Sequence, residues 1–161
     1  MLIRKATGEE MLKLWGCQEE SNAPPTAKFF YKNISSGNAV FWTLDNAGEL
    51  IGELYAFLDV DGDKDFADGK TTAYLCAFRV KKEYRGQGLG SKMMDIVLKD
   101  LKARGFQYAT IGVSEEQNEK LYRRMGFTAK VKDCHIDPCA MDGNMQPEHY
   151  DACYNLLSKE L

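Results

Sequence analysis

Apolar residues recur along this chain with spacings that lay out its elements one after another. Leu2 to Lys5 reads as a short first strand. Thr7-Gly8-Glu9-Glu10 is a capping box, with Thr7 as the cap and Glu10 reaching back to it. A helix should run from there to about Cys17, with Met11, Leu14 and Trp15 on one face. Ser21 to Pro25 breaks it, and Thr26 to Ile34 is a second helix, with Phe29, Phe30 and Asn33 spaced for one side. Val40 to Leu44 and Glu49 to Asp59 alternate as strands around the turn Asp45-Asn46-Ala47-Gly48, which predicts a hairpin. In the second strand Glu53 alternates with Ile51, Tyr55 and Phe57, a carboxylate on an apolar face. Ala73 to Val80 is a further strand, and Ser91 to Arg104 a helix carrying Met94, Val97, Leu98 and Leu101, closed by Gly105. Phe106 to Val113 reads as a strand, Asn118 to Met125 as a short helix, and Thr128 to Ile136 as a strand. Asp137 to Glu148, with two prolines, reads as a loop, and Tyr150 to Leu157 as a last strand with a helix as the alternative.

Composition narrows the class. A chain of 161 residues, 44% hydrophobic and 28% charged, suits one globular domain over residues 1–161. A formal charge of −3 gives no reason to expect nucleic acid as a partner. No apolar run is long enough for a membrane span, and Met1 to Lys5 lacks the apolar core of a signal peptide. A cytoplasmic protein with its five cysteines reduced is the expectation. Cys134-His135 with Cys139, and His149 with Cys153, match no common zinc spacing, so no metal is expected; Cys76 reads as a small core residue. The acidic run Asp59 to Gly69 has Lys64 and Lys70 where a calcium loop needs Gly and Glu. It is expected to be a solvated hairpin loop, or an acidic rim that attracts cationic amines.

The chemistry concentrates in Arg85-Gly86-Gln87-Gly88-Leu89-Gly90-Ser91. Glycines that follow a strand and open a helix turn free N–H groups, aided by the helix dipole, toward one point, and Arg85 adds a charged donor beside them. That combination is a phosphate cradle. The dinucleotide fingerprint needs Gly-x-Gly-x-x-Gly and the Walker loop needs Gly-Lys-Ser/Thr; neither order is present. What fits is Arg-x-x-Gly-x-Gly, carried by Arg85, Gly88 and Gly90.

This loop resembles the pyrophosphate loop of the GNAT acetyltransferase superfamily. A second segment, Leu121-Tyr122-Arg123-Arg124-Met125-Gly126-Phe127, is similar to the superfamily's Leu-Tyr-x-x-x-Gly-Phe. The resemblance implies an α/β fold, a mostly antiparallel sheet of about seven strands flanked by about four helices. It implies transfer of an acetyl group from acetyl-CoA to a primary amine by direct attack in a ternary complex, by a monomer or homodimer. The acceptor is open among a small cationic amine, a polyamine, an amino acid, and a protein N-terminus or lysine. The rival reading is a non-catalytic acetyl-CoA-binding or sensing module. In the family pattern the coenzyme is held by Phe78, Arg79 and Val80 on the strand and by Arg85 to Ser91 on the loop. Tyr122 is the implied general acid toward the departing thiolate. An amine with a pKa near 10 is neutral only about one time in a thousand at pH 7, so a base is needed. Glu53 and Glu115 are the candidates, with Asp59 weaker. The sequence departs from the family in two places: Lys82 stands where Pro is common, and Glu115 where Asn commonly touches the coenzyme. Asn118, four residues before Tyr122 and on its helix face, is the substitute candidate.

Overall fold

The computed structural model describes residues 1–161. Its strands are β1 (Leu2–Ala6), β2 (Ala39–Asn46), β3 (Glu49–Phe57), β4 (Thr72–Val80), β5 (Tyr108–Val113), β6 (Ala129–Met141) and β7 (Pro147–Glu160). Its helices are α1 (Gly8–Leu14), α2 (Pro25–Ser35), α3 (Leu89–Ala103) and α4 (Glu116–Arg124). The seven strands form one sheet in the order β1-β2-β3-β4-β5-β7-β6. Every neighbouring pair is antiparallel except β4 and β5. That exception follows from chain order, because parallel neighbours need a crossover, and α3 supplies it.

Two features of β4 shape the middle of the sheet. Its parallel ladder with β5 covers only Thr72 to Leu75 against Tyr108 to Ile111, so Cys76 to Val80 runs on without β5 beside it. A bulge coincides with this parting. Tyr55 pairs with Cys76 and Glu53 with Arg79, so β4 uses three steps where β3 uses two. The bulge places Ala77 at φ 51, a left-handed conformation that costs a residue with a Cβ about 1–2 kcal/mol.

Each face of the sheet carries its own core. α3 and α4 cover one built from Leu54, Leu75, Met93, Val97, Ile111 and Phe127. α1 and α2 cover the other, where Phe30 meets Tyr55 and Phe57 edge-on at 4.9 and 5.1 Å and Phe41 stacks on Tyr55 at 4.7 Å. The capping box forms as the sequence requires: Thr7 Oγ1 accepts the Glu10 N–H, and Glu10 accepts the Thr7 N–H. Glu10 also receives Arg4, which reaches on to Asp45.

Four expectations change. α1 stops at Leu14 rather than near Cys17, with Trp15 at its C-cap and Gly16 turning at φ 78. Ile51 does not share the face of Glu53. A register shift lets two residues of β2 span three of β3 there, and Ile51 turns into the opposite core. Residues 137–148 are mostly strand rather than loop, whereas 150–157 is the strand expected. Pro138 is accommodated because the β6–β7 ladder is interrupted between Asp137 and Met141, where a missing N–H loses no bond. The acidic segment is not a solvated loop throughout: Phe66 and Ala67 are buried, Phe66 meets Tyr74 edge-on at 4.9 Å, and the Thr110 hydroxyl donates to the Phe66 carbonyl. Nor is it mostly a free acidic rim, since all its carboxylates but Asp61 are engaged. Lys64 pairs with Asp59, Lys132 pairs with Asp63 and Asp65, and Asp68 is spent on the N–H groups of Lys70, Thr71 and Thr72.

Candidate active site

The parting of β4 from β5 opens a cleft of about 520 Å³ on the α3 and α4 side of the sheet. Phe78, Arg79 and Val80 contribute from β4, Arg85, Gly86 and Gly88 to Ser91 from the turn into α3, and Asn118 and Tyr122 from α4. Of the residues expected to hold the coenzyme, only Gln87 does not line it.

The glycine turn has the geometry its sequence demands. Gly88 is the N-cap of α3 at φ 77, and no side chain caps the helix. None of the N–H groups from Gln87 to Ser91 donates to a protein acceptor; the first bond of the helix is Lys92 N–H to the Gly88 carbonyl. A helix start with several orphan donors and no cap is built to receive an anion. At Gly90 the requirement is space: a Cβ there would lie 3.0 Å from Phe78 Cζ. The Arg85 Nε donates to the Val80 carbonyl at 2.7 Å, which leaves its terminal guanidinium nitrogens without a protein partner. These donors fit a pyrophosphate group.

Tyr122 is buried at the inner wall, tilted against Phe78 at 6.3 Å and edge-on to Phe127 at 6.4 Å. Burial raises its phenol above the ordinary value, so it holds its proton at neutral pH. Asn118, Leu121, Tyr122 and Met125 form one stripe along the cleft. Leu121, Met125 and Tyr84 were not among the expected contacts. The spacing of three, four and seven residues from Asn118 was the available signal for the first two. Tyr84 comes from the short 3-10 turn Lys82–Tyr84 and gave no such signal.

The carboxylate candidates differ in their surroundings. Glu53 is buried on the α1 and α2 face of β3, where Trp15 Nε1 donates to its Oε1 at 2.9 Å. The Arg79 guanidinium lies over the Trp15 ring at 5.8 Å, so Trp15, Glu53 and Arg79 form one group beside the β4 bulge. Next to them the Tyr55 hydroxyl is buried without a hydrogen-bond partner; burial first, then the Glu53 charge, raises its pKa. Glu115 is exposed at the N-cap of α4 and makes no capping bond. Asp59 is taken by Lys64. No group of three or more His, Cys, Asp or Glu side chains converges as a metal site would require, and no helix is long and apolar enough to cross a membrane.

Comparison with known proteins gives this geometry a context. None of the curated protein sequences matches the chain. Solved structures do. A ribosomal-protein-alanine N-acetyltransferase from Brucella melitensis superposes with a TM-score of 0.67 at 14% identity, covering 100% of both chains. Arabidopsis thaliana NAA60 in complex with acetyl-CoA gives 0.68 at 17% identity, over 99% of this chain and 98% of that one. An aminoglycoside 6'-acetyltransferase type Ii gives 0.66 at 16% identity, over 99% and 97%. These likenesses establish the fold, a mixed sheet of seven strands with four helices. The sequence itself matches the family model described as acetyltransferase (GNAT) family across residues 8–127, a span that includes the glycine turn, the parted strands and Tyr122, and the chain therefore belongs to the acetyltransferase (GNAT) family.

Proposed function

We propose that residues 1–161 form one catalytic domain that transfers an acetyl group from acetyl-CoA to a primary amine, by direct attack of the amine in a ternary complex. The observation that carries this reading is that the uncapped glycine turn and Tyr122 line one cleft, at the place where β4 and β5 part. The thioester, when bound, supplies an activated acyl carbon and a thiolate leaving group. The chain's own residues do the rest. The N–H groups of Gln87 to Ser91 and the guanidinium of Arg85 neutralise the pyrophosphate. The edge of β4 from Phe78 to Val80, released from β5, offers main-chain groups to the pantetheine arm in the manner of an added strand, and an N–H to the developing oxyanion. Tyr122 gives its proton to the thiolate. Glu53, anchored by Trp15, takes the proton of the amine through water.

The test replaces Tyr122 with Phe. Loss of the proton donor should lower kcat roughly 10²–10³-fold, while coenzyme A affinity by calorimetry stays within about twofold. An unchanged kcat would remove Tyr122 from the chemistry. Coenzyme A binding with no thiol release from any amine would favour the non-catalytic binding module instead.

A further inference from the structure

On the other side of the parted strands, one carboxylate faces a cavity without a cation. Asp137 lies on β6 where the ladder to β7 is interrupted. Its Oδ1 accepts the Cys139 N–H at 3.0 Å, and no lysine, arginine or histidine pairs with it. Asp45, Asp63 and Asp100, by contrast, have Arg4, Lys132 and Arg104. Burial raises the Asp137 pKa even though the N–H groups of Cys139 and Ala140 act against it, and the neighbouring Glu148 adds like charge. A half-buried carboxylate in this state is stabilised by an incoming cation.

The cavity beside Asp137 measures about 430 Å³ and has aromatic walls, Tyr74, Tyr150 and Tyr154. Its remaining border includes Gly112 and Val113, where β5 runs on beyond its ladder with β4, and Ser114 after it. Two sequence features keep it open. Between the pairs Ile136–His149 and Cys134–Tyr154, β7 takes five steps and β6 takes two, so β7 bows outward and carries Tyr150 to the rim. Gly112 leaves the room that Tyr154 fills, since a Cβ there would lie 2.9 Å from Tyr154 Cε2. Tyr154 is fixed by donating to the Ile136 carbonyl at 2.5 Å and meets Tyr150 edge-on at 6.4 Å.

A carboxylate among aromatic rings is an environment for an alkylammonium ion. It is unsuited to the reacting amine itself, which must be neutral to attack, because a nearby carboxylate favours the charged form. We propose that Asp137 and the tyrosine walls bind a second, protonated amino group of a di- or polyamine acceptor, whose neutral first amine reacts where β4 and β5 part. This assignment rests on the acetyl-transfer reading above. It replaces the 59–68 segment as the main source of acidic attraction, since Asp59, Asp63 and Asp65 are paired with lysines and Asp68 is spent on main-chain N–H groups.

The experiment measures thiol release from acetyl-CoA with α,ω-diamines from 1,3-diaminopropane to 1,6-diaminohexane, each against the monoamine of equal carbon number. At least one diamine should exceed its monoamine in kcat/KM by roughly 10–100-fold, the value of a charge-assisted contact. Asp137→Asn, which keeps an acceptor for the Cys139 N–H, should abolish that preference by raising KM for the diamine, with kcat within about threefold and monoamine turnover unchanged. Tyr150→Ala, at a position 44% exposed and therefore safe for folding, should lose part of the same preference. Equal turnover of diamines and monoamines would overturn this assignment and leave acetyl transfer standing, as would an Asp137→Asn loss shared by both. Coenzyme A binding without thiol release from any amine would overturn both.

Discussion

Replacing Gly88 with Ala separates the two jobs given to the glycine turn. Gly88 sits at φ +77 with nothing within 4 Å of where a Cβ would be built. An added methyl therefore meets no protein atom, and the fold suffers only from the left-handed conformation, about 1–2 kcal/mol. For a chain of this length that corresponds to a fall in Tm of roughly 2–8 °C. The same methyl projects into the open side of the turn, among the N–H groups proposed to meet the pyrophosphate. Coenzyme A affinity should fall more than tenfold, beyond what the loss of stability explains. Gly62 supplies the control, because it lies at φ +81, also with nothing within 4 Å, in the 59–69 segment away from the cleft. Gly62→Ala should melt lower by a similar margin and bind coenzyme A like the wild type. Calorimetric titration with thermal melting of all three proteins is the assay. If Gly88→Ala loses the same stability as Gly62→Ala but binds coenzyme A normally, the turn is not the phosphate cradle and the argument from its free N–H groups fails.

Two further outcomes follow from the structure. Burial alone would raise the Asp68 carboxyl, but the Thr71 hydroxyl and the N–H groups of Thr72, Lys70 and Thr71 outweigh it and hold the group well below the usual carboxylate range. A carboxyl depressed in the folded state adds stability that is complete above its unfolded pKa near 4 and disappears as pH falls through the folded value. Asp68→Ala should therefore cost about 1–2 kcal/mol at pH 7, allowing for partial solvation, and less at pH 3; denaturant melts showing the same gap at both pH values would refute the assignment. Glu53→Gln keeps an acceptor for Trp15 but removes the base, so kcat should fall about 10²-fold or more while Glu115→Gln stays near wild type. If the Glu115 variant takes the loss instead, the base belongs to the N-terminus of α4.

What the sequence revealed and what it hid divide along a physical line. The glycine turn was legible because a phosphate cradle is local: orphan donors, φ near +80° and the helix dipole are all fixed within a few residues, so Arg85, Gly88 and Gly90 could be read from spacing alone. Tyr122 was legible only through the resemblance of Leu121 to Phe127 to the family's pattern, and Asn118 through its spacing on the same helix. The capping box at Thr7 and Glu10 is equally local. Asp137 was not legible, because its significance depends on which groups fail to reach it. Two prolines made 137–148 look like a loop, whereas the interrupted ladder lets β6 absorb Pro138 and still carry Asp137 to a cavity wall. The tyrosines around it come from β4 and β7, separated in sequence by up to eighty residues and joined only by strand order. The acidic segment shows the converse error. Its charges were plain, but the pairing of Asp63 with Lys132 of β6 and the burial of Phe66 against Tyr74 of β4 arise only in the folded chain. In the proposed reading acceptor recognition thus rests on an unpaired charge rather than on a dense one, and an unpaired charge is a property of the fold, invisible to composition.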